Sequence, residues 1–254
     1  MRRVRLIKNA KPTLEGAGVR LHRAFGFGDE RVFDPFLMLD DFRNDNTRDY
    51  IAGFPWHPHR GIETITYMLE GNVEHADSLG NQGVISKGDV QWMTAGKGII
   101  HQEMPKPNPI GRMYGFQLWA NLPARQKMMN PRYRDIKAEQ IPLVKSSGGF
   151  EARIICGSLE GVTGPAQDIM IDPQYWDVFI PAGATATLPT AIGHTCFIYA
   201  YEGEAQIGGH RVGNRQTVLF DDGPEIEAQA GSDGFRMLFL CGRPLREAIV
   251  WKGS

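Results

Sequence analysis

A chain of 254 residues, 42% hydrophobic and 22% charged, has the make-up of a folded globular protein and not of a disordered or fibrous one. Its 28 basic residues against 29 acidic ones leave a formal charge of -1, so no strong field draws it directly to nucleic acid or to an anionic membrane. The 30 glycines and 16 prolines predict many turns between short strands, and the length fits one large all-β domain or two of ordinary size.

The opening residues, MRRVRLIKNAKPTLEG, carry early arginines but no apolar run of the kind a secretory signal needs. No later stretch approaches a membrane span, and the chain reads as cytoplasmic. The segment continues to Gly26 as a strand, a polar turn and a second strand, followed by the apolar DPFLMLDDF. Its Asp40 and Asp41 are expected to bond a neighbouring turn backbone, with a pocket role as the alternative.

The stretch from Gly53 to Pro105 organises the rest. It contains His57, His59, His101 and Glu103 in two pairs of equal spacing, His-x-His and His-x-Glu. Alternate side chains of an extended strand share a face, so each pair projects together from its own strand. Two such strands side by side offer three imidazoles and a carboxylate to one point, a donor set for iron, manganese, cobalt, nickel, copper or zinc. Each histidine alone is better read as capping a strand end; the matched pairs outweigh that. With four ligands bound, an octahedral ion keeps two adjacent positions open for substrate and dioxygen, whereas a tetrahedral zinc is saturated and structural.

Between the pairs, Ile62 to Leu69 alternates as a half-buried strand, its odd positions in phase with His57 and His59 unless a bulge intervenes. By that phase Glu63 competes with Glu103 for the carboxylate position, and His75 is a weaker rival. Phe54, Trp56, Trp92 and Met93 flank the ligands as candidate walls of an apolar pocket, or equally as plain core. Gln117, in GFQLWA, is the candidate hydrogen-bonding partner of substrate or ligand.

The charged, proline-rich LPARQKMMNPRYRDIKAEQIPLVKSSGG follows as the connection between two domains, 1–130 and 131–254, with a short helix near Ala124 to Met129. The second half repeats the punctuation of the first: Glu202-Gly203 mirrors Glu70-Gly71, and Val212 to Gln216 mirrors Lys87 to Gln91. It does not repeat the histidine pairs, and His194 is the only histidine near the corresponding place. The widely spaced Cys156, Cys196 and Cys241 read as small buried hydrophobes.

GFPWHPHRGIETITYMLEG, GDVQWMTAGKGIIHQEMP, DPFLMLDDF and LPARQKMMNPRY together resemble the pirin family of bicupins. The resemblance implies two β-barrels, the double-stranded jelly rolls of the cupin fold. It implies one mononuclear divalent metal, commonly Fe(II), in the amino-terminal barrel, with His57, His59, His101 and Glu103 as its ligands. It favours Glu103 over Glu63, whereas general cupin motifs take a carboxylate near Glu63. The distance from Glu63 to Gly71 is one residue longer than in that wider pattern, and Thr94 stands at a usual proline position. Pirin-like chains commonly continue past a PLREA-like segment into a helix, and this sequence ends at WKGS.

As function, the resemblance implies a quercetin 2,3-dioxygenase-like oxidoreductase that cleaves flavonols with dioxygen, with Glu103 as the catalytic base. The alternative it carries is an iron-binding, redox-responsive regulator acting through a transcription factor or a metabolic enzyme.

Overall fold

The structure, a computed structural model, describes residues 1–106 and 109–249; the closing WKGS lies outside the described residues. The chain passes through β1 (Val4–Asn9), β2 (Lys11–Glu15), β3 (Val19–Phe25), the single-turn helix α1 (Glu30–Phe33), β4 (Phe36–Asp41), β5 (Phe54–His59) and β6 (Ile62–Glu70). It continues through β7 (Asn72–Asp77), β8 (Gln82–Ile85), β9 (Val90–Thr94), β10 (Ile99–Lys106), β11 (Tyr114–Asn121) and β12 (Arg132–Ile136). The later strands are β13 (Leu143–Ser146), β14 (Phe150–Cys156), β15 (Ser158–Leu159), β16 (Val162–Thr163), β17 (Gln174–Ile180) and β18 (Thr185–Pro189). The last are β19 (Thr195–Ile207), β20 (His210–Gly213), β21 (Gln216–Phe220) and β22 (Glu225–Gly242). The chain is thus nearly all-β and divides into two compact units. No helix among the described residues is long and apolar enough to cross a membrane.

The unit that carries the histidine pairs comprises Lys11–Val32 and Phe36–Ala138, with a segment that begins at Arg246. It has a seven-stranded sheet, β12-β9-β6-β11-β4-β3-β2, and a four-stranded one, β5-β10-β7-β8. Hydrophobic residues from both, among them Leu21, Met68, Val73 and Ile85, close one core between them. β6 is buried on both faces from Glu63 to Met68, so its alternation marks two packed surfaces and not the half-buried strand expected.

The other unit comprises Met1–Ala10, Phe33–Pro35 and Glu139–Leu245. Its nine-stranded sheet follows the path β1-β21-β19-β22-β17-β14-β13, with β18 on β22 and β20 on β19. Ile198, Val218, Trp176 and Phe239 pack in its core, the last two rings stacked at 4.5 Å. The first strand, β1, pairs antiparallel with β21, with Asn9 opposite Gln216. Arg2 ties it down: the buried guanidinium donates to Thr190 Oγ1 and to the carbonyls of Ala191, His194 and Asp221.

Two segments therefore fall across a division at 130/131. Met1–Ala10 belongs with the carboxy-terminal unit because its backbone donors and acceptors are satisfied there. Residues 131–138 belong with the amino-terminal one because β12 adds to the edge of β9. The expected helix is a single 3₁₀ turn, Ala124–Gln126.

The repeated punctuation builds the same corner twice. After its glycine turn the chain returns as β9 beside β6 in one unit and as β21 beside β19 in the other. The cysteine expectation needs correcting for one pair. Cys196 and Cys241 lie opposite one another on β19 and β22 and form a disulfide, because antiparallel register joins residues 45 apart in sequence. Cys156 is buried outside the disulfide, its thiol donating to the Ala166 carbonyl at 3.0 Å.

Candidate metal centre

β5 and β10 lie side by side, with His57 opposite His101 and His59 opposite Ile99. Cross-strand partners share a face, so both histidines of β5 and the histidine of β10 point into the unit together. Their rings meet with centroids 4.8 Å apart for His57 and His59, 4.4 Å for His57 and His101 and 4.9 Å for His59 and His101. Among the described residues these form the group able to hold a metal ion, one ligand atom from each lying within 4.8 Å of the others.

The donor set fits a transition ion. Two imidazole nitrogens bound at right angles to one ion at ~2.1 Å stand ~3 Å apart, and His57 Nε2 is 3.0 Å from His59 Nε2. His57 Nδ1 lies 2.8 Å from the Pro55 carbonyl, a contact in which Nδ1–H donates and the Nε2 lone pair stays free. Both ring nitrogens of His101, and Nδ1 of His59, are buried without a hydrogen-bond partner. Buried polar atoms are rarely left so, and an ion accounts for them. Burial, reinforced by His101 and His57, pushes His59 down to about 2, so the ring stays in the neutral form that binds metal. Burial also lowers His101, against the opposing pull of Glu103.

Glu103 shares the inward face of β10 with His101, but its carboxylate lies outside the histidine trio. Gln117 Nε2 donates to both of its oxygens at 3.0 Å, and Thr66 Oγ1 donates to Oε1 at 3.0 Å. Thr66 and Gln117 are register partners on β6 and β11, and Asp40 and Gln91 continue the same row on β4 and β9. A polar row across the sheet thus faces the ligands.

Glu63 is on the opposite side. The chain turns at Arg60-Gly61, where Gly61 has φ +70°, and the turn shifts the phase between β5 and β6. Thr64 and Thr66 consequently face inward, while Glu63 turns away and accepts a 2.6 Å bond from Thr94 Oγ1. His75 is buried opposite Glu103 on β7 and stacks on Tyr133 at 5.7 Å, apart from the trio.

A cavity of about 480 Å³ opens against His57 and His59. Phe54, Trp56 and Gln117 line it; Trp56 is 53% exposed at its rim. Met93 does not line it, because its side chain packs with Ala95 and Ile99. Trp92 lies in register with Ile65, on the other face of the sheet.

Sequence reasoning missed further wall residues, among them Glu15, Arg23, Met38 and Trp119. Trp119 could have been found, since it follows Gln117 at i+2, and its ring meets His59 edge-on at 5.0 Å. Asp40 takes the pocket role and not the turn role. Arg23 Nε and Nη2 each donate to one of its oxygens at 2.8 Å. Burial still raises the Asp40 carboxyl against that pull. Asp41 does bond a turn backbone, the Arg43 amide at 3.1 Å.

Comparison with known proteins places this geometry. Residues 18–120 match the family model described as Pirin, and residues 175–254 the one described as Pirin C-terminal cupin domain. The chain belongs to the pirin family. A pirin-like protein of Caulobacter vibrioides is 44% identical over 254 residues, 100% of this chain and 91% of the relative. Pirin of Homo sapiens is 35% identical over 246 residues, 94% of this chain and 82% of its own. The crystal structure of quercetin 2,3-dioxygenase from Acinetobacter baumannii matches with a TM-score of 0.90 at 30% identity, covering 100% of this chain and 91% of that one. In this pirin, then, the histidine trio belongs to the amino-terminal cupin, and among the described residues the carboxy-terminal cupin has no counterpart to it.

Proposed function

We propose that this chain is a metal-dependent dioxygenase that opens the central ring of flavonols such as quercetin, with release of carbon monoxide. The observation that carries the reading is the histidine trio, two of whose members, His57 and His59, line a 480 Å³ cavity together with Phe54, Trp56 and Trp119. Such a space suits a flat aromatic molecule, and the likeness to quercetin 2,3-dioxygenase supports it. His57, His59, His101 and Glu103 would hold one divalent ion, Fe(II) by preference. That ion supplies Lewis acidity and a common template for substrate and dioxygen.

The protein's own groups do the rest. Glu103 accepts the proton of the flavonol 3-hydroxyl, and Gln117 and Thr66 fix the carboxylate in place for that transfer. Phe54 and Trp119 orient the rings and keep water from the reacting face. The test is incubation of the iron-loaded protein with quercetin in air, following oxygen uptake and carbon monoxide. Absence of turnover with every first-row metal defeats the reading.

Trp56 favours a second reading, since an aromatic side chain 53% exposed beside the ligands suits contact with another protein. In it the chain is a cytoplasmic, redox-responsive regulator that offers a different surface to a transcription factor or metabolic enzyme with oxidised and reduced iron. Pull-downs in the two iron states decide it, and partner capture indifferent to both redox state and metal removal excludes the switch.

A further inference from the structure

The cavity has a charged wall that neither metal binding nor proton transfer uses. Arg23 stands there with Nε and Nη2 on the two oxygens of Asp40, and Nη2 also reaches Glu15 Oε1 at 2.8 Å. Asp40 is buried and saturated by this clamp, so it has little left to offer a ligand. Arg23 Nη1 and Glu15 Oε2 are in a different position. Both residues line the cavity, and neither of these atoms has a partner among the described residues. The Arg23 side chain is 16% exposed and that of Glu15 38%, so one is nearly desolvated and the other accessible.

The wall therefore presents one charged donor beside one charged acceptor, held rigid by a bidentate pair. An aliphatic or unsubstituted aromatic group placed there would leave the nearly desolvated Arg23 Nη1 without a hydrogen bond and take water from Glu15 Oε2 without replacing it, both unfavourable. A phenol with adjacent hydroxyls satisfies both: one hydroxyl donates to Glu15 and its neighbour accepts from Arg23.

Resting on the dioxygenase reading above, we propose that Glu15 and Arg23 are specificity-determining residues that read hydroxyl groups on the part of the flavonol remote from the metal ligands. The substrate class is narrowed from flavonols at large to those with a hydroxylated pendant ring. Asp40 is a positioning residue, acting through Arg23.

The test compares quercetin, which has two adjacent hydroxyls on that ring, with galangin, which has none, using the metal-loaded full chain. Two readouts are taken for each compound, the Kd from quenching of tryptophan fluorescence and kcat/KM from oxygen uptake. Wild type is expected to prefer quercetin by at least about tenfold in Kd, the scale of one hydrogen bond to a charged group. Glu15→Leu and Arg23→Lys are expected to bring that ratio to within about threefold of unity. Glu15 is the safer variant, being on the surface, and metal content and Tm are checked for both.

Equal weakening of both flavonols, with the ratio kept, would mean that the wall only holds β2, β3 and β4 together and would overturn the proposal. So would failure of wild type to discriminate, or to bind either compound. Discrimination in Kd that the variants abolish, without turnover of either flavonol, supports the reading wall and sinks the dioxygenase chemistry alone.

Discussion

The two cupin units contain the same pair of strands with opposite contents. In one, β5 and β10 place His59 opposite Ile99 and His57 opposite His101, with Glu103 one step further along. In the other, β18 and β22 place Leu188 opposite Ile226 and Ala186 opposite Ala228, with Ala230 one step further. All five of these replacements are buried within the unit's apolar core. The backbone register thus tolerates either a polar donor set or plain hydrophobic packing. The difference shows that the barrel does not depend on the metal: a cupin of this design closes on leucine, isoleucine and alanine alone. The proposed donor set, the histidine trio with Glu103, is a substitution at four inward positions, and Gln117 and Thr66 from the facing sheet hold the Glu103 carboxylate.

The most severe way to break the comparison is to transplant the donors. Ala186→His, Leu188→His, Ala228→His and Ala230→Glu together would bury four polar groups among core residues that offer them no partners. At ~1–3 kcal/mol each, the loss is roughly 4–12 kcal/mol, comparable with the whole stability of a domain. Urea unfolding with and without Ni(II) should show a collapsed metal-free transition, and a metal-free graft of wild-type stability would refute the equivalence of the strands. Removing a donor from the other unit comes next. His101→Ala should cut bound metal from about one ion per chain to less than a tenth, a loss beyond the ~100-fold seen for supporting residues. Metal analysis after dialysis against chelator reads this directly, and full retention would mean that the trio is not the site.

Gln117→Leu is gentler. It keeps the ligands and removes the donor that holds both oxygens of Glu103, so metal affinity is expected to fall by about 10- to 100-fold in a chelator competition. The smallest effect sharpens the comparison from the other side. His101→Leu makes this position of β10 apolar, as Ala228 makes its counterpart in β22, and because both ring nitrogens of His101 are unpaired, the metal-free variant should be more stable than metal-free wild type by about 1 kcal/mol. Thermal melts in chelator test this, and a lower Tm would show that the histidine contributes packing that leucine cannot replace.

How much of this was legible depended on range. Alternation within β10 placed His101 and Glu103 on one face from sequence alone, and the repeated Glu-Gly turns announced two copies of one barrel. The phase of Glu63 was not legible, because it turns on the conformation of Arg60-Gly61 between two strands. Asp40 and Arg23, and likewise Cys196 and Cys241, meet through register between strands, and register is fixed by the assembled sheet and not by local pattern. β12 was hidden in a stretch whose charge and proline content suggested a linker, yet its Asp135 accepts a bond from Gln91 at the sheet edge.

The pairing of β1 with β21 sets an order of events during synthesis. Asn9 leaves the ribosome first and meets Gln216 across a gap of 207 residues, which at ~5–20 residues per second is a wait of roughly 10–40 s. All the strands of the histidine-bearing unit are made within that interval. Its sheets can close, and its ligands converge, while the chain's own first strand still has no sheet to join.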